Sequence, residues 1–294
     1  MCSRLIEAST QIEGRKNKMI RSMYSGISGL KNFQTKMDVI GNNIANVNTY
    51  GFKKGRTVFK DLISQTTSGA SGGTATRGGV NAKQVGLGSQ LASIDTIHSG
   101  GSLQSTGNTL DLAISGDGFF QLADGTGGSA TNVPTGYSTS KLYSRAGNFY
   151  LDSLGALVNG EGKYLVSVSG TPLKIPTDAQ SMSIGQDGTV NYVDAAGTLT
   201  SAGQIQLAKF PNNGGLTKSG SNYFEQSASS GAPVLNAPLA GGTGSINSGF
   251  LEMSNVDLSE EFTDMIVAQR GFQANTRIIT TSDSILEELI NLKR

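Results

Sequence analysis

Apolar residues recur at helical spacing near both ends of the chain. Towards the N-terminus they follow one another at steps of three or four residues, as on one face of a helix. The members of this first stripe are Ile20, Met23, Ile27, Leu30, Phe33, Met37, Ile40, Ile44 and Val47. The second stripe consists of Leu258, Phe262, Met265, Phe272, Ile279, Leu286 and Ile290. Both stripes approach a heptad repeat, so we predict coiled-coil-like helices over 19–48 and 250–294.

The middle of the chain has a different pattern. Residues 91–249 contain short β-type runs bounded by turn dipeptides such as Asp117-Gly118 and Asp187-Gly188. Residues 64–82 are rich in Gly, Ser and Thr, which predicts a flexible or extended segment. We therefore predict an α+β fold. It has an extended linker over 49–90, a glycine-rich antiparallel all-β domain over 91–249, and two terminal helices that form one helical end domain.

The terminal helices need a partner surface. Gly26, Gly29 and Gly41 interrupt the first stripe, and each costs up to about 1 kcal/mol relative to Ala in a helix. A helix of this composition is marginal when isolated. The Gly/Ser-rich linker offers it no apolar surface. We expect the two helices to pair with each other and with other copies, as in a subunit that polymerises through its ends.

The first eighteen residues differ from the rest of the chain. They carry Arg4, Arg15, Lys16 and Lys18 against Glu7 and Glu13. They lack the apolar core of a signal peptide. We predict that 1–18 is an extension upstream of a true start at Met19, with a disordered native tail as the alternative. The first reading would also remove Cys2, which is the only cysteine.

Composition argues against several function classes. The 294 residues include one His, one Cys and no Trp. The chain therefore has too few His and Cys residues for most metal sites and for most Ser-His or Cys-His nucleophiles. Charged residues make up 15%, and the net charge is +1, which gives no electrostatic footprint for nucleic acid or an anionic membrane. We predict no catalytic activity, no cofactor, no metal, no nucleic-acid partner and no membrane insertion.

Individual motifs give no stronger chemical signal. His98 has no nucleophile and orienting acid near it in sequence, so a strand-edge or surface histidine is the preferred interpretation. The Gly86-Leu87-Gly88 segment lacks the third glycine of a dinucleotide fingerprint. The Asp-Gly dipeptides lack the alternating ligands of an EF-hand and fit hairpin turns. The basic cluster of Lys53, Lys54, Arg56 and Lys60 fits a solvated face or charge pairing between subunits.

The two ends also carry long sequence motifs. Residues 19–60 closely resemble the N-terminus of the bacterial flagellar axial proteins, the rod and hook family. Residues 248–272 resemble that family's entry into its C-terminal helix, and 110–120 and 143–151 resemble its middle. The N-terminal motif residues are Asn42, Asn43, Asn46, Asn48, Thr49, Gly51 and Phe52.

The N-terminal motif also has a physical interpretation. Asn tolerates left-handed backbone and hydrogen-bonds free backbone groups, and Gly51 permits a positive φ. Phe52 would anchor the departing chain in an apolar contact. The segment therefore predicts a helix end built as a fixed corner, and the alternative is a simple C-cap.

The resemblance implies a structural subunit exported by the flagellar type III apparatus without a cleaved signal peptide, and an extracellular place in the flagellum. The likeness is closest to the short hook proteins of Gram-positive bacilli. We therefore expect a hook subunit that forms a flexible tube and transmits motor torque to the filament. The alternative is a distal rod protein that forms a stiff drive shaft. The implied partners are other copies of the chain, the rod, the hook cap and the hook–filament junction.

Two competing classes make different predictions. An enzyme or carbohydrate-binding β domain with helical dimerisation arms would form a small oligomer with a ligand pocket. A surface adhesin would bind a host or matrix component. Neither class accounts for matching stripes and motifs at both ends of the chain.

Overall fold

The computed structural model describes residues 2–74, 76–127 and 133–291. Two long helices lie at the two ends of the chain and a mainly antiparallel β region lies between them. Helix α1 is Cys2–Ala45 and helix α2 is Leu258–Asn291. The structure has residues 2–18 as the first part of α1, whereas the sequence predicts an extension or a disordered tail there. The boundary at Met19 stays a prediction.

Four strands follow α1. They are β1 (Gly55–Asp61), β2 (Ser64–Ser68), β3 (Lys83–Gly86) and β4 (Ser89–Thr96). Strand β1 pairs with β4, and β2 pairs antiparallel with β3. The sequence predicts an extended linker over 49–90, and the structure differs by placing these pairs there. Both strands of the β2–β3 hairpin are exposed throughout, so backbone hydrogen bonds hold the hairpin and no apolar alternation marks it.

Sixteen further strands form the β region within the described residues. They are β5 (Leu103–Ser105), β6 (Leu112–Ser115), β7 (Phe119–Thr126), β8 (Gly136–Ser144), β9 (Phe149–Leu151), β10 (Leu157–Asn159), β11 (Tyr164–Leu165), β12 (Ser181–Ile184), β13 (Thr189–Val193), β14 (Leu199–Gln204), β15 (Leu207–Lys209), β16 (Thr217–Gly220), β17 (Tyr223–Glu225), β18 (Val234–Asn236), β19 (Ser245–Ser248) and β20 (Phe250–Glu252). A 3₁₀ turn, Asn213–Gly215, precedes β16.

The largest sheet has nine strands. Its main path runs β16-β17-β8-β7-β11-β10-β9. The first two residues of β7, Phe119 and Phe120, pair with β15, which in turn pairs with β18. Strands β12, β13 and β14 form a three-stranded sheet, while β19 pairs with β6 and β20 pairs with β5. The strand pairings of this region are antiparallel within the described residues, as predicted for the middle of the chain.

Apolar side chains from several strands form the main core of the β region. Leu112, Phe120, Phe149, Leu207 and Ile246 are completely buried. A second cluster is built from aromatic rings and consists of Phe119, Tyr143, Phe210 and Phe224 with Ala208. Both clusters draw on β7, because alternate residues of a strand point to opposite faces of a sheet.

The chain divides into two compact units. The helical unit comprises residues 2–44, 55–95 and 258–291, and the β unit comprises 45–54 and 96–257. Both terminal helices therefore belong to one unit, and β1 to β3 with most of β4 belong to it as well. The sequence predicts a helical end domain made of the two helices alone.

Candidate assembly surface

Helices α1 and α2 pack antiparallel along a line of glycines. A Cβ atom at Gly29 would lie 2.9 Å from Asn275 Nδ2, and one at Gly271 would lie 2.5 Å from Phe33 Cζ. Contacts that tight leave no room for a larger side chain. The glycines that weaken each helix in isolation therefore allow the two helices to approach closely.

Polar contacts fix the register of the helix pair. Lys36 Nζ lies 3.3 Å from a carboxylate oxygen of Asp264. Asn43 is 2% exposed and donates from Nδ2 to Glu261 at 3.2 Å and to the Gly55 carbonyl at 2.9 Å. Its Oδ1 accepts from the Gly55 N–H at 2.9 Å. One asparagine of the N-terminal motif thus joins α1, β1 and α2.

The β strands of the helical unit contact another side of α1. Asn32 donates to Ser89 Oγ at 2.9 Å. Gly88 has φ +123°, and a Cβ there would lie 2.3 Å from Ser28 Oγ. Helix α1 is therefore covered on one side by α2 and on another by the β1–β4 pair.

The predicted stripe positions divide between covered and exposed sites. Ile40 is buried at 3% exposure. The half-buried positions are Met23, Leu30, Phe33, Met37, Ile44, Val47, Met265, Phe272, Ile279 and Leu286. The exposed positions are Ile27, Leu258, Phe262 and Ile290. Helix α1 ends at Ala45, so Val47 lies beyond it and belongs to the β unit.

Five exposed apolar residues on the helices were not among the predicted positions. They are Tyr24, Ile266, Val267, Ile278 and Ile285. The last three follow one another at steps of 11 and 7 residues, which returns them to nearly the same side of α2. A second helical period, offset from the heptad seam, is the signal that would have found them. We call the exposed apolar positions of α1 and α2 the outer flanks.

The motif residues after α1 form a corner within the β unit. Thr49 donates from Oγ1 to Asn46 Oδ1 at 3.1 Å. Gly51 has φ +69°, and a Cβ there would lie 2.5 Å from the backbone N of Ala146. Phe52 is 8% exposed. Only glycine fits the corner at position 51, for reasons of both space and backbone angle.

The remaining two motif asparagines, Asn42 and Asn48, are exposed. They lie near the end of α1 and just beyond it.

A buried ionic cluster next to the corner was missed from sequence. Lys53 Nζ lies 2.6 Å from Glu252 Oε1, and Arg145 NH1 lies 3.1 Å from Glu252 Oε2. The Gly101 N–H also donates to Glu252 at 3.0 Å. Burial lowers the pKa of Lys53 although Glu252 opposes that shift. Burial would raise the pKa of Glu252, but Arg145 and Lys53 outweigh it and hold that pKa below its usual value. This cluster joins the corner to the last strand of the β unit.

His98 packs beside this cluster, between aromatic rings. Its ring centroid lies 5.7 Å from that of Phe119 and 5.4 Å from that of Phe224. Burial, which is the largest cause, and the positive charges of Lys53, Arg145 and Lys218 together lower the pKa of His98 to about 4. The ring is therefore neutral near pH 7, and it is half-buried in an aromatic cluster rather than a surface group.

Three family models match separate parts of the chain. "Flagella basal body rod protein" matches residues 23–53, "Flagellar hook protein FlgE/F/G D1 domain" matches 113–192, and "Flagellar basal body rod FlgEFG protein C-terminal" matches 247–292. The flagellar basal-body rod protein FlgG of Bacillus subtilis is 60% identical over 277 residues, covering 94% of this chain and all of that protein. The chain belongs to the flagellar rod and hook protein family.

Other members of the rod and hook family match over most of the chain. The rod protein FlgG of Agrobacterium fabrum is 38% identical, covering 90% of this chain and 97% of that protein. The hook protein FlgE of Borreliella burgdorferi is 34% identical over 441 residues, covering 94% of this chain and all of that protein. The matched families and relatives are structural proteins of the flagellum and not enzymes. Rod and hook proteins polymerise into axial structures.

The described residues give little support for other chemistry. No helix among them is both long enough and apolar enough to cross a membrane. Within the same residues, His, Cys, Asp and Glu side chains form no group that could hold a metal ion. The outer flanks of the helices are the candidate assembly surface.

Proposed function

We propose that the chain is a subunit of the flagellar rod and polymerises through its terminal helices. The observation that carries the proposal is the 60% identity to the Bacillus subtilis rod protein FlgG over 94% of the chain. The match to the Borreliella burgdorferi hook protein is 34% identical. The sequence alone led us to expect a hook subunit, and this difference favours the alternative of a rod subunit.

Chain length supports the same choice. The alignment with the rod protein spans 277 residues, whereas the alignment with the hook protein spans 441 because that protein is longer. A subunit without the additional length fits a straight, stiff drive shaft better than a curved tube with a large outer layer.

Immunogold labelling of isolated hook–basal bodies tests the choice between rod and hook. An epitope tag in the β2–β3 hairpin, between residues 69 and 72, gives the label an exposed site that belongs to neither helix. We expect gold along the rod after the surrounding rings have been removed. Gold along the curved hook would overturn the rod proposal and restore the hook as the function.

The outer flanks supply the physical basis for polymerisation. Ile27 is 48% exposed on α1, and Val267 and Ile285 are 54% and 48% exposed on α2. Covering such side chains with a neighbouring copy removes apolar surface from water, which is the main favourable term in most protein association. Each helix keeps one side for its intramolecular partner and leaves another side for a neighbour.

Charge supports contact between unlike helices of different copies. Residues 21–45 carry Arg21, Lys31 and Lys36 against Asp38. Helix α2 carries six acidic residues against Arg270 and Arg277. An α1 flank of one copy that meets an α2 flank of the next therefore pairs opposite charges, while like helices would repel.

Substitutions on the outer flanks test polymerisation through the helices. We expect Ile27→Asp and Ile285→Asp to abolish assembly, because each places a carboxylate where a neighbour would bury it. Leu199→Asp is the matched control, since Leu199 is 71% exposed on β14 of the β unit and lies on neither helix. Sedimentation measures assembly, and circular dichroism reports whether the β unit remains folded. Normal polymers from both flank variants would contradict this mechanism.

The remaining expectations belong to the same proposal. The subunit would be exported by the type III apparatus without cleavage, and 1–18 would be an extension upstream of Met19. Mass spectrometry of the protein in isolated basal bodies tests both. We expect an N-terminus at Met19 with no further processing, and peptides from 1–18 would overturn the second statement.

A further inference from the structure

A cavity of about 260 Å³ lies in the β unit, where three segments of the chain border one space. Thr49 and Tyr50 of the corner after α1 form one part of its wall. The turn between β10 and β11 contributes Glu161, and the turn between β16 and β17 contributes Ser221 and Asn222. Sites that enclose drug-sized molecules measure about 300–1,000 Å³, so this cavity has room for a single side chain.

The lining of the cavity carries a negative charge. Glu161 is the one charged residue among the described residues that line it. Within the same part of the chain it forms no ion pair, and Lys163, two residues further on, bonds to Asp124 at 2.9 Å. Burial raises the pKa of Tyr223 to about 12, and a hydrogen bond with Glu161 and the charges of Glu161 and Asp124 contribute to the rise. The cavity is therefore a region of negative potential.

Hydrogen bonds hold the Glu161 carboxylate in place. Bonds from the hydroxyls of Ser221 and Tyr223 keep the pKa of Glu161 below its usual value, so the carboxylate is ionised near pH 7. Asn159 donates from Nδ2 to the Tyr223 hydroxyl and accepts at Oδ1 from the Glu161 N–H at 3.1 Å. An ionised carboxylate has about four acceptor positions, so some of them remain for a ligand.

The turn that contributes Ser221 has an unusual backbone. Ser221 has φ +46° and Asn222 has φ +62°. A two-residue hairpin turn with positive φ at both places is of type I′, and Asn-Gly usually fills it. Asn222 donates from Nδ2 to the Tyr50 carbonyl at 3.0 Å, and Ser144 Oγ donates to the Asn222 carbonyl at 3.0 Å. Strained positions of this kind concentrate at binding sites, where the surrounding structure maintains them.

Other groups in the lining are available to a ligand. The side chain of Asn148 has no hydrogen-bond partner among the residues that the structure describes. Tyr50 is 37% exposed, and Tyr223 is a second tyrosine of the lining. The face of a tyrosine ring attracts a cation that lies within about 6 Å of its centroid. The lining therefore offers acceptors and aromatic rings.

This combination suits an organic cation. A planar guanidinium can donate two parallel N–H bonds to one carboxylate and can stack on an aromatic ring. An ammonium is a point charge that lacks the planar fork. A neutral polyol would leave the charge of Glu161 without compensation. The chemistry of the cavity thus favours a guanidinium over the other two groups.

We propose that this cavity binds the guanidinium group of an arginine side chain presented by another polypeptide. Glu161 accepts its N–H bonds, Asn148 supplies a further acceptor, and the tyrosine rings contact its plane. The occupant is a side chain because the cavity has the volume for one. This inference goes beyond the proposed function, since it depends on the lining of the cavity and not on assembly.

Titration of the full chain with Nα-acetyl-L-arginine amide tests the site. Amide chemical shifts in NMR spectra should change at Gly160, Glu161 and Asn222, and the change should saturate. Nα-acetyl-L-citrulline amide has nearly the same shape without the charge, so it should bind about tenfold more weakly. Equal affinities of the two probes would overturn the inference, as would the absence of shifts at residues that line the cavity.

Two further probes test the identity of the occupant. Nα-acetyl-L-lysine amide carries an ammonium and should bind more weakly than the arginine amide. Equal binding of these two would overturn the assignment to a guanidinium. Free L-arginine should bind no more tightly than its capped form, and tighter binding of the free amino acid would overturn the assignment to a polypeptide.

Glu161→Gln tests the carboxylate. The affinity for the arginine amide should fall about tenfold, because charge-assisted hydrogen bonds are lost. Glu225→Gln is the matched control, since Glu225 is exposed on β17, accepts from Ser219 Oγ at 2.7 Å and does not line the cavity. The control should leave the affinity unchanged. Equal losses of affinity in the two variants would overturn the inference.

Asn148→Asp tests the site by a gain of affinity. It adds a second carboxylate to the lining without removing a hydrogen bond that the structure describes. The arginine amide should therefore bind several-fold more tightly, and the citrulline amide should not. A misfolded variant would not gain affinity, so the expected result also shows that the fold is retained. Weaker or unchanged binding of the arginine amide by a variant with an unchanged unfolding temperature would overturn the inference.

Discussion

In the β unit, Leu112, Phe120, Phe149 and Leu207 are completely buried. In the helical unit Ile40 is buried to a similar extent, alone among the predicted stripe positions whose side chains the structure describes. The β unit fills its core with side chains from one chain. The helical unit brings backbones together at glycines and leaves apolar flanks exposed. The difference predicts that the β unit is stable as a monomer and, under the proposed mechanism, that neighbouring copies cover the exposed flanks of the helical unit.

The largest expected change in stability concerns the buried ionic cluster of the β unit. Glu252→Gln leaves the charges of Lys53 and Arg145 buried without their partner, and we expect a loss of about 3–5 kcal/mol in the free energy of unfolding. Asp124→Asn is the matched control, because Asp124 is exposed and bonded to Lys163 at 2.9 Å. Its loss should stay below about 1 kcal/mol. Urea denaturation measures both, and equal losses would contradict the role given to burial.

Truncating one phenylalanine in each unit compares the two cores directly. Phe120→Ala empties a fully buried site, and we expect it to cost about 3–4 kcal/mol. Phe33→Ala removes a half-buried ring that lies against Gly271, and we expect about half as much. Urea unfolding followed by circular dichroism provides both values. A larger loss of unfolding free energy for Phe33→Ala than for Phe120→Ala would show that the helical unit has the better-packed core, which would contradict the difference drawn between the two units.

Two glycine substitutions separate packing from helix propensity. Gly271→Ala places a methyl group 2.5 Å from the Phe33 ring, and we expect it to destabilise the helix pair by about 1–3 kcal/mol. Gly41→Ala meets no atom within 4 Å, so it should stabilise α1 by up to about 1 kcal/mol. Thermal melts of the two variants, followed by circular dichroism, should therefore shift in opposite directions. Shifts in the same direction would refute the close glycine contact.

The smallest expected effect concerns pH and the β unit. The pKa of His98 is about 4 in the folded chain and 6.5 unperturbed, so the unfolded chain binds more protons between these values. Stability should therefore fall as the pH is lowered from about 6.5 to about 4. Over this pH range the free energy of unfolding of His98→Gln should fall by about 1–2 kcal/mol less than that of the unchanged chain. The expected difference is kept small because solvent screens the half-buried ring. Urea titrations at both pH values measure the difference, and parallel profiles would contradict it.

The sequence predicted the two terminal helices because an apolar stripe at helical spacing is a local signal. Turn dipeptides such as Asp187-Gly188 similarly marked the antiparallel middle region. Strands β2 and β3 escaped prediction because both of their faces are exposed, so their residues do not alternate between apolar and polar. The alternation of apolar and polar residues cannot reveal a hairpin that is held by backbone hydrogen bonds alone.

The candidate sites divide in the same way. A heptad stripe follows one seam, so it found Phe33 and Ile279 but not Val267, Ile278 or Ile285 on the outer flank. Lys53 and Glu252 are 199 residues apart, and no local pattern connects them.

The hydrogen bond from the Gly51 N–H to the Glu252 carbonyl, at 2.8 Å, has an evolutionary consequence. The Lys54 N–H likewise donates to Asn255 Oδ1 at 2.8 Å. The chain therefore enters and leaves the β unit at adjacent points. Segments whose ends lie together tolerate insertion. An insertion between these two ends can therefore leave them in place, and the matching hook protein of Borreliella burgdorferi, aligned over 441 residues, is longer than this 294-residue chain.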